Sequence, residues 1–139
     1  MIVHNFAEFL RLQYPDESIF VDGWKDVYPD NLPDRLILVK DTTGGTPQKF
    51  TNIINPHLIQ LLVRDIDNVR AYNLANQIYL FLKDKLYFWL PAINLNGMIY
   101  PTTKIQEIVA NATPQSMGLD SNSRAIYSTN YRLFYELGV

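Results

Sequence analysis

Ile2, Phe6, Phe9, Leu10 and Leu12 recur near the 3.6-residue helical period, so the chain is expected to begin with a helix over residues 2 to 13 that buries one face. Pro15 ends it, because a proline ring cannot continue the hydrogen-bond ladder. Ser18 to Trp24 is a short apolar run closed at Gly23 and reads as a strand. Tyr28 to Asp34 is turn-rich, with Pro29 and Pro33 each holding the residue before it extended. Arg35 to Lys40 is nearly all apolar with β-branched members, the pattern of a strand buried on both faces. His57 to Asp65 alternates instead: Ile59, Leu61 and Val63 form the core side, opposite Leu58, Gln60, Leu62 and Arg64. Asp65 or Asp67 is placed to cap a second helix, whose packing stripe is Ala71, Leu74, Ala75, Ile78, Leu82 and Leu86.

Beyond that helix, Tyr87 to Ala92 carries Phe88, Trp89 and Leu90 ahead of Pro91, and Asn96-Gly97 is a strong turn signal. Lys104 to Ala110 and Arg124 to Leu137 read as strands. The last sets Ala125, Tyr127, Thr129, Tyr131, Leu133, Tyr135 and Leu137 against Arg124, Ile126, Ser128, Asn130, Arg132, Phe134 and Glu136, an aromatic face opposing a mostly polar one. Asn111 to Asn122, rich in Asn, Ser, Pro and Gly, is expected to be a long hairpin loop between them. The order α-β-β-β-α-β-β predicts an α+β fold, a mostly antiparallel sheet with two helices packed on one face. Neither repeats nor low-complexity tracts interrupt it, and residues 1 to 139 are expected to form a single domain.

Composition narrows the function classes. A hydrophobic share of 47% and a charged share of 19% are those of a folded chain. The net charge of −2 supplies no basic excess to hold a polyanion, which disfavours general nucleic-acid binding. With Cys 0 there is no disulfide, thiolate metal site or cysteine nucleophile, and His 2 leaves little for imidazole chemistry. Glu8 and Arg11 interrupt the first apolar segment, so no secretory signal is read there, and no run of about 18 apolar residues suits a membrane span. The expectation is a protein made and kept in a cytoplasm unless exported as part of an assembly.

The candidate chemistry is thin. Thr42-Thr43-Gly44-Gly45-Thr46-Pro47 could offer backbone N–H groups to a phosphate, but a nucleotide loop needs a Gly-Lys-Ser/Thr run opening a helix. Pro47 and the strand that follows favour a plain connecting turn. His57 and His4 have no second imidazole or thiolate at ligand spacing. Asp65 and Asp67 could be paired carboxylates for acid–base or metal work, yet they stand where a helix start favours a capping side chain and negative charge. Arg64 beside them suits a local ion pair as well as a phosphate. None of Ser18, Ser116, Ser121, Ser123 or Ser128 lies in a nucleophile elbow. The aromatic share of 13%, with Tyr 9, fits a core or a protein interface better than base stacking, because no basic groove accompanies it.

Pro33-Asp34-Arg35 before a strand, Asp41-Thr42-Thr43-Gly44-Gly45, the run from Ile59 to Arg64-Asp65, and the Ala71-Tyr72-Asn73-Leu74-Ala75 helix together resemble a family of small phage proteins. These are minor capsid proteins similar to the tail terminators of long-tailed bacteriophages. Pro114 to Asp120, Arg124 and the strand through Asn130 fit the same pattern, so the resemblance covers most of the chain. It implies an α/β protein that forms a homo-oligomeric ring, usually a hexamer, on the head-proximal end of the tail tube. It also implies three contacts: further copies of itself, the tail tube protein, and a head-completion or connector protein. DNA would meet the ring only as the passing genome, and no membrane is involved. The implied location is the virion, at the head–tail junction, after assembly in the host cytoplasm. The family brings no catalytic residue, metal or cofactor. Loop length and composition make Thr42, Thr43, Gly44, Gly45, Thr46 and Pro47, with Gln115, Ser116, Met117 and Asp120, the expected protein contacts. Arg124 and Arg132, on the polar face of the last strand, are candidates to face a lumen. Another neck or tail-completion component of the same fold is the alternative. A small-ligand or enzymatic domain would need a deep polar pocket near Gly44-Gly45 or Asp65.

Overall fold

Val3, Phe6, Ala7 and Leu10 form the buried stripe of helix α1, Ile2–Gln13, with Ile2 and Phe9 packed at its margin. Leu12, expected in that stripe, lies on the outer face and is exposed. The computed structural model describes residues 2–22, 32–42 and 54–136. Strand β1 is Ile19–Asp22, β2 is Leu36–Asp41 and β3 is Ile54–Asp65. Helix α2, Asn68–Leu82, follows, then β4, Leu86–Leu90. Strands β5, Ile93–Leu95, and β6, Met98–Tyr100, form a separate small hairpin. The chain then runs through β7, Thr103–Ala110, β8, Gln115–Leu119, and β9, Ala125–Glu136.

The main sheet has the order β1-β2-β3-β9-β7-β4, with β8 also paired to β9. Strand β9 is its spine. One edge pairs with β3 from Ala125 to Glu136, while the other is shared between β8 at its start and β7 from Tyr131 to Tyr135. All pairs are antiparallel except β1 with β2, which is parallel. A parallel neighbour needs a long crossover rather than a tight turn, which the proline-rich connection after β1 supplies in length.

Both helices cover one face. Their apolar stripes meet Ile37, Val39, Ile59, Leu61, Val63, Tyr131 and Leu133 across the main core. On the opposite face Leu36, Leu38, Leu62 and Ile126 form a smaller cluster, which is why β2 is buried on both sides as its sequence predicts. The α+β class therefore holds, but with more strands than the predicted order. Residues 111 to 122 are not one loop: β8 lies within them, held by its ladder to β9. Leu86 is not a member of the helix stripe. It opens β4 and is exposed, because α2 ends at Leu82 and Asp84 turns into the left-handed region.

At Asn96-Gly97 both φ values are positive, 52° and 88°, the geometry a two-residue hairpin turn demands. The hairpin is tied back to α1 by the buried Asn5, whose Nδ2 donates to the carbonyls of Pro91 at 2.8 Å and Pro101 at 3.2 Å. No helix among the described residues is long and apolar enough to cross a membrane.

Candidate functional site

Arg64 and Asp65 end β3 side by side, and strand alternation sends them to opposite faces of the sheet. On the helix side the Asp65 carboxylate is fully buried. Its Oδ2 accepts from Arg35 Nη1 at 2.9 Å, and its Oδ1 accepts from Arg70 Nη2 and from the Asp67 N–H, both at 3.0 Å. Arg35 also donates two parallel bonds to Glu17, at 2.9 and 2.7 Å. Asp67, not Asp65, caps α2: its Oδ1 accepts from the N–H groups of Val69 and Arg70.

On the other face the Arg64 guanidinium donates to the carbonyls of Pro33 at 2.6 Å and Asp34 at 3.2 Å. Arg124 Nε donates to Asp120 Oδ2 at 2.8 Å, and its Nη1 lies 3.3 Å from Asp34 Oδ1. Asp120 Oδ1 accepts from the N–H groups of Asn122 and Arg124 and so closes the β8–β9 turn. Burial pushes the Asp65 and Asp120 carboxyls up, but hydrogen bonds from N–H groups and guanidinium ions outweigh it and hold both below the usual carboxylate range. Carboxylates fixed as anions against arginines cannot donate a proton near neutrality. The cluster is a clasp that joins the start of β2, the end of β3 and the β8–β9 turn.

This geometry revises two sequence expectations. Arg124 is 3% exposed and engaged with Asp120 and Asp34, so it is not a lumen-facing group. Asp120 turns inward for the same reason, and its carboxylate holds the fold rather than a partner. Arg132 is exposed and donates from Nε to Asn111 Oδ1 at 3.3 Å. Gln115, Ser116 and Met117 are exposed, on β8. Thr42 is exposed, and its N–H donates to the Leu58 carbonyl; Thr43, Gly44, Gly45, Thr46 and Pro47 lie outside the described residues. His57 Nε2 sits 3.1 Å from Asp41 Oδ1, and its ring meets Tyr135 edge-on. Among the described residues no three His, Asp or Glu side chains gather as a metal site would need.

A cleft of about 310 Å³ lies between α1 and β5, lined by His4, Glu8, Arg11 and residues 92 to 95. Its one guanidinium is already committed: Arg11 donates to Glu8 and, through Nε and Nη2, to the Ile19 carbonyl.

What the surface offers instead is apolar. Leu86, Tyr87 and Trp89 project from β4, an edge strand, and Met98 and Ile99 from the adjoining hairpin, all more than half exposed. A second group lies at the start of α2: Ile66 and Val69 are exposed, and Tyr72 stacks edge-on against Tyr127. The β8–β9 register puts Leu119, also exposed, on the same face beside Ala125. Sequence reasoning passed over both groups. The available signal was the unbroken run from Leu86 to Leu90, too apolar for a strand with one face in water.

A search among curated proteins returned no match. The family model described as bacteriophage tail terminator protein matches residues 16–137, a span that takes in every strand of the main sheet, α2 and the whole clasp. The chain therefore belongs to the bacteriophage tail terminator family, a family of structural virion proteins.

Proposed function

We propose that the chain, as one domain, forms a homo-oligomeric ring, a hexamer, that caps the head-proximal end of the tail tube. One ring face docks on the last tube ring; the other no longer resembles a tube subunit, so growth stops and a head-completion or connector protein is met instead. The observation that carries this reading is the family match across residues 16–137. The fold is compatible with it: a sheet stiffened by helices on one face and by a buried charge clasp at one end gives a rigid body, and the apolar groups at its rims need partners. The genome passes through the ring, with Arg132 a candidate for the channel wall. Thr42 to Pro47 and Gln115 to Met117 are proposed contacts with the tube or with neighbouring copies, and assembly takes place in the host cytoplasm.

Electron microscopy of particles carrying a gold-labelled chain tests the role. Label at the head–tail junction with tails of normal length supports it. Label at the tail tip, or junction label together with tails of normal length when the chain is deleted, overturns the terminator reading, the latter in favour of another neck component. Shortening residues 42 to 47 to a minimal turn is expected to weaken docking on the tube while the domain stays folded. Normal length control by that variant would remove the loop from the contact.

A further inference from the structure

A ring that closes by head-to-tail contacts needs two different surfaces on every copy, each complementary to the other. The two apolar groups meet that requirement. The first, on β4 and the β5–β6 hairpin, is carried by β7 and so by the Tyr131–Tyr135 end of β9. The second, at the start of α2 and on β8, sits over the Ala125–Tyr127 end. At about 3.3 Å per residue these ends of β9 stand on the order of 25 Å apart, so the groups form opposite rims. We infer that the β4 rim of one copy seats on the α2–β8 rim of the next, making the contact that closes the ring. This assignment rests on the ring reading above.

Three observations select a second copy in this orientation. The sheet edges are treated differently: at β1 the Arg11 guanidinium occupies the Ile19 carbonyl, whereas β4 presents Tyr87 and Trp89. The charges differ as well. Lys83, Lys85 and Lys104 outnumber Asp84 and Glu107 around the β4 rim, so two β4 rims facing each other would oppose like charges. The α2–β8 rim instead sets two carboxylates against one exposed guanidinium: Arg70 is bonded to the buried Asp65 and stands 3.9 Å from the half-exposed Asp67. Area agrees: Leu86, Tyr87, Trp89, Met98 and Ile99 together offer on the order of 500 Å², a large part of the roughly 800 Å² per partner in a standard interface. Trp89 and Tyr87 are the side-chain types that anchor such contacts.

Because the chain has no cysteine, a single engineered thiol reports one contact. Ile99→Cys and Val69→Cys mark the two rims at exposed positions that leave Trp89 and Tyr72 in place. In tails built with the double variant, a short bis-maleimide is expected to give a ladder of covalent multimers, while either single variant stays monomeric on a denaturing gel. Dimers from Ile99→Cys alone would mean a symmetric contact and overturn the assignment. No cross-link from any variant present in tails would also overturn it and leave the ring reading standing. Absence of the unsubstituted chain from tails would overturn both. Trp89→Ser is expected to weaken assembly by tenfold or more with an unchanged melting temperature, and unchanged assembly would exclude the β4 rim.

Discussion

Arg124 Nε lies 2.8 Å from Oδ2 of Asp120, in a pair that water scarcely reaches, and Arg64 Nη1 approaches the same oxygen at 3.9 Å. One carboxylate therefore serves two buried guanidinium ions and, through its other oxygen, two backbone N–H groups. Asp120→Ala removes that shared anion and is expected to cost about 3 kcal/mol, since breaking one side of a buried ion pair leaves charge uncompensated. Urea denaturation checks it. A loss under about 1 kcal/mol, the level of an exposed pair, would mean that the clasp is not buried in solution.

The same carboxylates set the acid limit of the fold. Asp65 and Asp120 sit below their usual range when folded, so the unfolded chain binds protons first as pH falls, and protonation favours unfolding. Their contribution is fully present above the unfolded value of about 4 and drains away as pH drops through the lowered folded values. Urea midpoints measured from neutrality down to pH 3 are expected to hold and then fall. Asp65→Asn, less stable at neutrality, should show a flatter fall; an identical profile would relocate the acid sensitivity to other groups.

Asp67 carries a different kind of stabilisation. Its carboxylate closes the first turn of α2 through Val69 and Arg70 and places negative charge at the positive end of the helix. Asp67→Ala is expected to cost about 1 kcal/mol, and Asp67→Ser much less, because the hydroxyl can accept the same bonds. Thermal melts followed by circular dichroism distinguish them; equal losses would assign the effect to charge rather than capping.

The sequence was legible where period and burial agree. Phe6 and Leu10 on α1, Ile59, Leu61 and Val63 on β3, and Leu74, Ala75 and Ile78 on α2 all lie where their spacing puts them. It misled where one residue changes the phase. Leu86 continues the helical spacing of Leu82, but the chain turns at Asp84 first. Gly118, at φ 80°, lets β8 bulge along β9, so Gln115 to Leu119 lacks the clean alternation that marks a strand. Arg124 looked like an exposed cation although Asp120, its nearer partner, stands only four residues away; its second partner, Asp34, is distant in sequence, and only the β2–β3–β9 register brings the two together. Long-range pairing of that kind leaves no local trace.

Tyr87 concentrates the remaining question, whether rim geometry is built for contact. Its φ of 50° puts a bulky side chain in the left-handed region, while the side chain stands 70% exposed on an edge strand. The conformation costs about 1 kcal/mol in a residue with a Cβ and next to nothing in glycine, so Tyr87→Gly is expected to raise stability by up to that amount. It also shifts the strand's phase: Leu86 and Trp89 point outward while Phe88 and Leu90 enter the core. Strain held at an exposed aromatic is the pattern of a site shaped for a partner. The same variant should therefore melt higher yet incorporate poorly into tails, with Tyr87→Asn, which tolerates this φ, behaving alike. A lower melting temperature would mean that the ring packs on its own chain, and undiminished incorporation would separate the strain from assembly.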